Sequence, residues 1–268
     1  MSVQKKPLPR SYWIFVVCVI ITLCIAFLPF GESETERAVF FGAFYKPFII
    51  AGEVHRLLTC GFIHVSVLHL FVNLFSLSIL SRAMENYLGV WKFLLILFGS
   101  VIGGSIFLFC TAGNTVGVGL SGGLYGLLAG YVFTIYEAGG MKIPQVRTGV
   151  MQTIVINLFI NFMPGVAWQA HLGGAITGLL LLMAFQPRRS DKKALLHARI
   201  ALVLLLIGSG FAMVKKSAIP EGERYLLTDL RVLQMEKQIG LEGHARAMAK
   251  RLDALYDVTY LETMLEED

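Results

Sequence analysis

Charge is what this chain has least of: 15% of its 268 residues are Asp, Glu, Lys or Arg, against about 25% in an ordinary soluble domain. The scarcity is also concentrated. Residues 57–81, 93–136 and 148–187 contain no charged residue at all, which excludes an ordinary water-soluble fold and points to lipid. Cysteine is scarce too, since Cys18, Cys24, Cys60 and Cys110 lie in or beside apolar runs without C-x-x-C spacing. They read as small hydrophobes rather than as a disulfide framework or a zinc site. No H-E-x-x-H occurs, so the zinc metalloprotease pattern is absent. The net charge of +5 does not indicate nucleic-acid binding, because many Lys and Arg residues lie in short connections between apolar runs, where membrane topology accounts for them.

What is present is apolar sequence, 56% of the chain. A helix crosses the hydrocarbon core with about 20 apolar residues, and the long uncharged runs break at turn compositions, Thr111–Gly117 and Asn161–Gly165. Seven spans are predicted, over 12–30, 64–83, 91–110, 120–136, 148–163, 168–186 and 197–214. The expected organisation is an inner N-terminal tail (1–11), a six-helix core (12–186), a basic inner linker (187–196), a seventh transmembrane helix (197–214) and a soluble helical tail (215–268). In that tail Leu226, Leu230, Leu233, Leu241, Met248, Leu252 and Leu255 recur at helical spacing around Gly240. The fold class is an all-α polytopic membrane protein. The first span follows Lys5, Lys6 and Arg10 and reads as an uncleaved helix, its uncharged run being long for a signal peptide.

With the N-terminus inside, twelve Lys and Arg residues fall in inner segments, and only Arg37, Lys46 and Arg56 in the outer connections of the first six spans. The second, fourth and sixth spans then run from outside to inside. The first outer connection, about 31–63, is long and aromatic, with Phe40, Phe41, Phe44, Tyr45 and Phe48. It reads equally as an interfacial segment or as a packed loop.

Polar groups inside lipid are costly, and when present they usually face the bundle interior and serve a function. Here the second span holds His69 and Asn73, the fourth begins near Gly119-Leu120-Ser121-Gly122, and the sixth has His171 near its start. At about 1.5 Å rise per residue, their offsets from the span starts place these groups within about 12 Å of one another along the membrane normal. His69 and Asn73 share a helical face, as do Ser121 and Tyr125. Glycines at four-residue spacing, Gly122, Gly126 and Gly130 on the fourth span and Gly174 and Gly178 on the sixth, allow close backbones. His64, five residues from His69, is expected at the membrane interface, and Glu85 with Arg82 at an inner turn.

A serine hydroxyl becomes nucleophilic when a base within hydrogen-bond reach takes its proton. His171 is the better base candidate. His69 and Asn73 form a donor pair suited to a tetrahedral oxyanion, or to holding helices together. The Ser121 amide at a helix N-terminus could join them. No Asp or Glu lies at this depth in the first six spans, which leaves a dyad whose base must be oriented by packing, with the Tyr125 ring as a candidate surface.

These residues resemble the rhomboid intramembrane serine proteases. The resemblance rests on Arg56-Leu57-Leu58-Thr59, His69-x-x-x-Asn73, Glu85 with Gly89, Gly119-x-Ser121-Gly122 with Tyr125, and Ala170-His171-x-x-Gly174-x-x-x-Gly178. It covers about residues 50–186, and His55 stands where the family often has tryptophan. It implies a six-helix rhomboid-like core with an added C-terminal helix, a serine endopeptidase with Ser121 as nucleophile and His171 as general base, and His69 with Asn73 stabilising the oxyanion. Tyr125, Gly119 and Gly122 support that site. No cofactor or metal is implied, the substrates are transmembrane proteins within the lipid bilayer, and no nucleic acid is involved. The expected setting is a bacterial plasma membrane, with the site opening toward the outer face. The competing readings are a catalytically inactive rhomboid-like binding protein and a membrane haem protein with His69 and His171 as axial ligands.

Overall fold

The computed structural model describes residues 9–29, 31–113, 115–185, 192–215 and 225–267. Lys5, Lys6, Arg188, Arg189 and the first part of the expected soluble tail (216–224) lie outside the described residues. The elements in chain order are α1 (Trp13–Phe27), α2 (Glu34–Phe40), β1 (Phe44–Tyr45), α3 (Lys46–Ile50), α4 (Arg56–Thr59), α5 (Val67–Leu88), α6 (Val90–Thr111) and β2 (Val116–Gly117). They continue with α7 (Ser121–Glu137), α8 (Pro144–Asn161), α9 (Trp168–Phe185), α10 (Lys192–Lys215), α11 (Leu226–Gln238), α12 (Glu242–Tyr256) and α13 (Leu261–Glu267).

Seven of these helices overlie the seven predicted spans, and their ends follow local capping. α5 starts at Val67 rather than residue 64, because Ser66 adopts extended backbone and its hydroxyl accepts a hydrogen bond from the His69 amide at 3.1 Å. α8 starts four residues early, at Pro144, which suits the first turn of a helix. Five helices among the described residues are long and apolar enough to cross a membrane: Arg10–Phe27, Val67–Leu88, Val90–Thr111, Trp168–Phe185 and Leu195–Lys215. The outward faces carry Val16, Ile20, Phe71, Phe75, Leu204 and Ile207, all exposed, as lipid contact requires.

α7 is shorter, 17 residues, and lies at the centre against α6 and α9. Its glycines make this possible. A Cβ on Gly174 would lie 2.0 Å from the Gly122 carbonyl oxygen, and one on Gly178 would lie 2.4 Å from Gly126 Cα. A Cβ on Gly104 of α6 would meet the Ala170 carbonyl oxygen at 2.4 Å. Backbone therefore packs on backbone where α6, α7 and α9 meet.

The connection between α1 and α5 is a folded unit. α2 opens with a capping box formed by Ser33 and Glu36. β1 pairs antiparallel with β2, Phe44 opposite Gly117 and Tyr45 opposite Val116. Phe44, Tyr45 and Phe48 are buried, so of the two readings of this aromatic segment the packed loop is the one observed. The tail helices complete its core: Val39, Tyr45 and Phe48 pack with Leu230, Leu233, Met248, Leu252 and Leu261. Leu241, predicted on the tail's apolar face, is exposed instead, because the chain turns there through Gly240 at a φ of 87°.

Since the tail sits on the α1–α5 connection, α10 runs back along the bundle from the far end of α9, packing on α9 and α6. At the opposite end Glu85 does not pair with Arg82 among the described residues. Its carboxylate accepts from the Arg10 amide at 2.7 Å, the Ser11 amide at 3.2 Å and the Ser11 hydroxyl at 2.7 Å, closing off the start of the first helix.

Candidate active site

Ser121 is the first residue of α7, and the turn before it depends on glycine. Gly119 has a φ of 109°, and a Cβ there would lie 2.6 Å from Cε1 and Nε2 of His69. Any larger residue would both strain the backbone and displace that imidazole. The Gly119 amide donates to the Cys60 carbonyl at 2.9 Å, tying the turn to the segment before α5. Ser121 thus stands where the first-turn amides of α7 lack intrahelical partners, with His69 packed against the chain two residues earlier.

His171 lies in the first turn of α9 and is 6% exposed. Its Nε2 is 2.8 Å from Ser121 Oγ. Tyr125, one turn along α7 from Ser121, stacks on the His171 ring with centroids 4.1 Å apart and planes within 9°. The other ring nitrogen, Nδ1, is 2.6 Å from Asn161 Oδ1. Tyr125 Oη donates to the Asn157 carbonyl at 3.1 Å and accepts from Asn161 Nδ2 at 3.2 Å.

The structure brings Ser121, His171 and Tyr125 into direct contact, with Gly122 beneath them at the α7–α9 crossing. His69 and Asn73 are placed differently. Asn73 Nδ2 donates to the His69 carbonyl at 2.9 Å, while its Oδ1 is buried without a partner. Among the described residues no hydrogen bond joins His69 or Asn73 to Ser121 or His171. His64, expected at the membrane interface, is buried within the protein. It is 0% exposed, with its ring 5.0 Å from that of His69, because it precedes α5 in a connection that folds inward.

Asn161 is the residue that sequence reasoning missed, having been assigned to a turn on the strength of its Pro-Gly neighbours. The signal that could have found it was present: Asn157 and Asn161 repeat at four residues on an apolar span, as His69 and Asn73 do.

Among the described residues, the side chains that hydrogen-bond or stack with the Ser121–His171 pair are the Asn161 amide and the Tyr125 phenol. A metal-type donor set exists elsewhere: Glu53, Glu236 and His244 have ligand atoms within 4.8 Å of one another. Those atoms already pair, His244 Nδ1 with Glu236 at 2.8 Å, His244 Nε2 with Glu53 at 3.4 Å, and Glu53 with Arg56. That arrangement is an ion-pair network between loop and tail.

A helical membrane bundle with a half-buried serine hydrogen-bonded to a buried histidine is the class these features define. The chain belongs to the rhomboid family: residues 51–188 match the Rhomboid domain. It is 28% identical over 209 residues to Rhomboid protease GluP of Bacillus subtilis (strain 168), covering 77% of this chain and 41% of that protein. It is 32% identical over 154 residues to RHOMBOID-like protein 4 of Arabidopsis thaliana, covering 56% of this chain and 39% of the relative. Similarity to Rhomboid-like protease 1 of Toxoplasma gondii is 28% over 190 residues, 67% of this chain and 62% of the relative. The match to each of the first two thus spans less than half of the relative's length.

Proposed function

We propose that this protein is an intramembrane serine endopeptidase that hydrolyses peptide bonds in or near the transmembrane segments of membrane proteins. The observation that carries the reading is the 2.8 Å contact between Ser121 Oγ and His171 Nε2 at the start of a buried helix, in a chain whose relatives are named as proteases. In this reading His171 takes the hydroxyl proton as Ser121 attacks the scissile carbonyl, then delivers it to the leaving amine. Water enters by the reverse sequence to release the acyl group.

The developing oxyanion is stabilised by the Ser121 amide at the α7 N-terminus, by the His69 imidazole beside Gly119, and by the second N–H of Asn73, whose first donates to the His69 carbonyl. Tyr125 covers one face of the base. The bis-histidine haem alternative finds no support, because both ring nitrogens of His171 are engaged. The proposed setting is a bacterial plasma membrane, and the distribution of Lys and Arg supports a site that opens toward the outer face.

The test is cleavage of a single-span substrate in proteoliposomes by wild type, Ser121→Ala and His171→Ala, alongside labelling by a fluorophosphonate probe. Wild type should cleave and label at Ser121. Undiminished cleavage by either variant, or probe capture at another serine in Ser121→Ala, would reject the dyad.

A further inference from the structure

A histidine base needs one bare nitrogen facing the nucleophile and a proton held on the other, and among the described residues no carboxylate hydrogen-bonds to His171 to enforce this. Resting on the protease reading above, we propose that Asn161, the last residue of α8, is the positioning residue for His171: its amide oxygen holds the ring in the tautomer that presents a bare Nε2 to Ser121.

The orientation of the Asn161 amide follows from its partners. One end faces the Asn157 carbonyl at 2.9 Å, a group that can only accept, so that end is the NH₂. The other end is therefore the oxygen, 2.6 Å from His171 Nδ1. An oxygen there requires Nδ1 to carry the proton, which leaves Nε2 to accept from Ser121 Oγ. The Tyr125 hydroxyl holds the same arrangement, accepting from Asn161 Nδ2 and donating to the Asn157 carbonyl. Every donor in this network meets an acceptor, and reversing the amide would set its oxygen against the Asn157 carbonyl, two acceptors facing each other.

A second observation is where Asn161 sits. α8 buries only Val150 among its described residues, so apolar packing contributes little to its place beside the site. Its C-terminal end meets α7 and α9 through the Asn157 and Asn161 hydrogen bonds. Tyr125 stacking fixes the plane of the ring but is indifferent to which nitrogen carries the proton. Only a hydrogen-bonding group can select the tautomer.

The experiment uses the full chain in nanodiscs, with Asn161→Leu to remove the acceptor and Asn161→Asp to keep one at the same place. Nitrogen-15 chemical shifts of the His171 ring, assigned by difference from His171→Gln, report the tautomer without requiring activity. Wild type and Asn161→Asp should show the Nδ1–H form, and Asn161→Leu a mixture. Cleavage of a single-span substrate by Asn161→Leu should lose about 10- to 100-fold in kcat with KM within about two-fold, and Asn161→Asp should recover part of that loss. An unchanged Nδ1–H signal in Asn161→Leu overturns the proposal, whether or not kcat falls, and so does a wild-type kcat in that variant. If wild type itself fails to cleave, the protease reading falls while the ring shifts still decide the role of Asn161.

Discussion

Around Ser121 the polar side chains are all neutral, whereas the cluster joining the tail to the α1–α5 connection consists of Glu53, Arg56, Asp229, Glu236 and His244. Most members of both are buried or half-buried, with His244 exposed, yet the two meet different surroundings. Inside the bundle, an unpaired charge beside hydrocarbon costs several kcal/mol, while amides, hydroxyls and imidazoles are satisfied by one or two hydrogen bonds each. At the tail–loop junction the chain is beyond the hydrophobic spans, and charges assemble in pairs. Arg56, 2% exposed, donates to Glu53 and to the carbonyls of Val39 and Ala43, and lies over the Phe48 ring at 4.7 Å. Asp229 accepts from Tyr45 and Tyr256, each at 2.7 Å. Of the residues that carry the resemblance, Ser121 and His171 hydrogen-bond to each other, and Arg56 holds the α1–α5 connection together.

Changes to the two clusters should separate activity from stability. The largest effect is expected in the neutral one: Ser121→Ala or His171→Ala should lower kcat for a single-span substrate by about 10³- to 10⁴-fold, with thermal unfolding of the bundle little changed. Next comes Arg56→Leu, which strands the buried Glu53 carboxylate and should destabilise the tail–loop unit by about 3–5 kcal/mol, read as rapid proteolysis of α11–α13. Asn73→Ala removes one donor proposed to face the oxyanion and should cost about 10²-fold in kcat. A change in KM alone would assign Asn73 to packing instead.

Asp229 gives the junction a pH dependence. Burial pushes its carboxyl up to about 6, against the opposing pull of the Tyr256 and Tyr45 hydrogen bonds and Arg56. A carboxyl whose pKa is higher in the folded than in the unfolded chain adds stability below its unfolded pKa, and that stability is lost as pH rises through about 6. Burial raises the Glu236 carboxyl too, with the same sign. Protection of the α11 and α12 amides, corrected for the intrinsic pH dependence of exchange, should therefore be greater at pH 5 than at pH 7.5. Asp229→Asn should flatten most of that difference, about 1.4 kcal/mol for the one pH unit between 5 and about 6. The smallest effect is expected for Arg246→Ala: its pair with Glu242 spans one helical turn, with side chains 54% and 51% exposed, and is worth about 0–0.5 kcal/mol.

Much of the architecture was legible because lipid leaves few choices. Uncharged runs marked the spans, turn compositions marked their breaks, and capping moved only the ends, as at Ser66 and Pro144. The glycine repeats on α7 and α9 were readable as a close crossing, and the chemistry-bearing types on α5, α7 and α9 stood out because so few polar residues occur there. Less legible was anything that depended on chain segments folding back. His64 gave no local sign of packing against His69, the loop aromatics read equally as interfacial or packed, and Leu241 looked like part of an apolar face.

The sequence by itself determined the apolar segments and their order, and that the runs holding Ser121 and His171 contain no Asp or Glu. Only the tertiary structure decided that Asn161 meets His171 and that the tail completes the core of the α1–α5 connection. The physical reason is range. Periodicity and charge act over one or two helical turns and are written in neighbouring residues, whereas a hydrogen bond between helices depends on how whole segments cross. His171 and Asn161 are ten residues apart, on different helices across a turn. No spacing rule joins them.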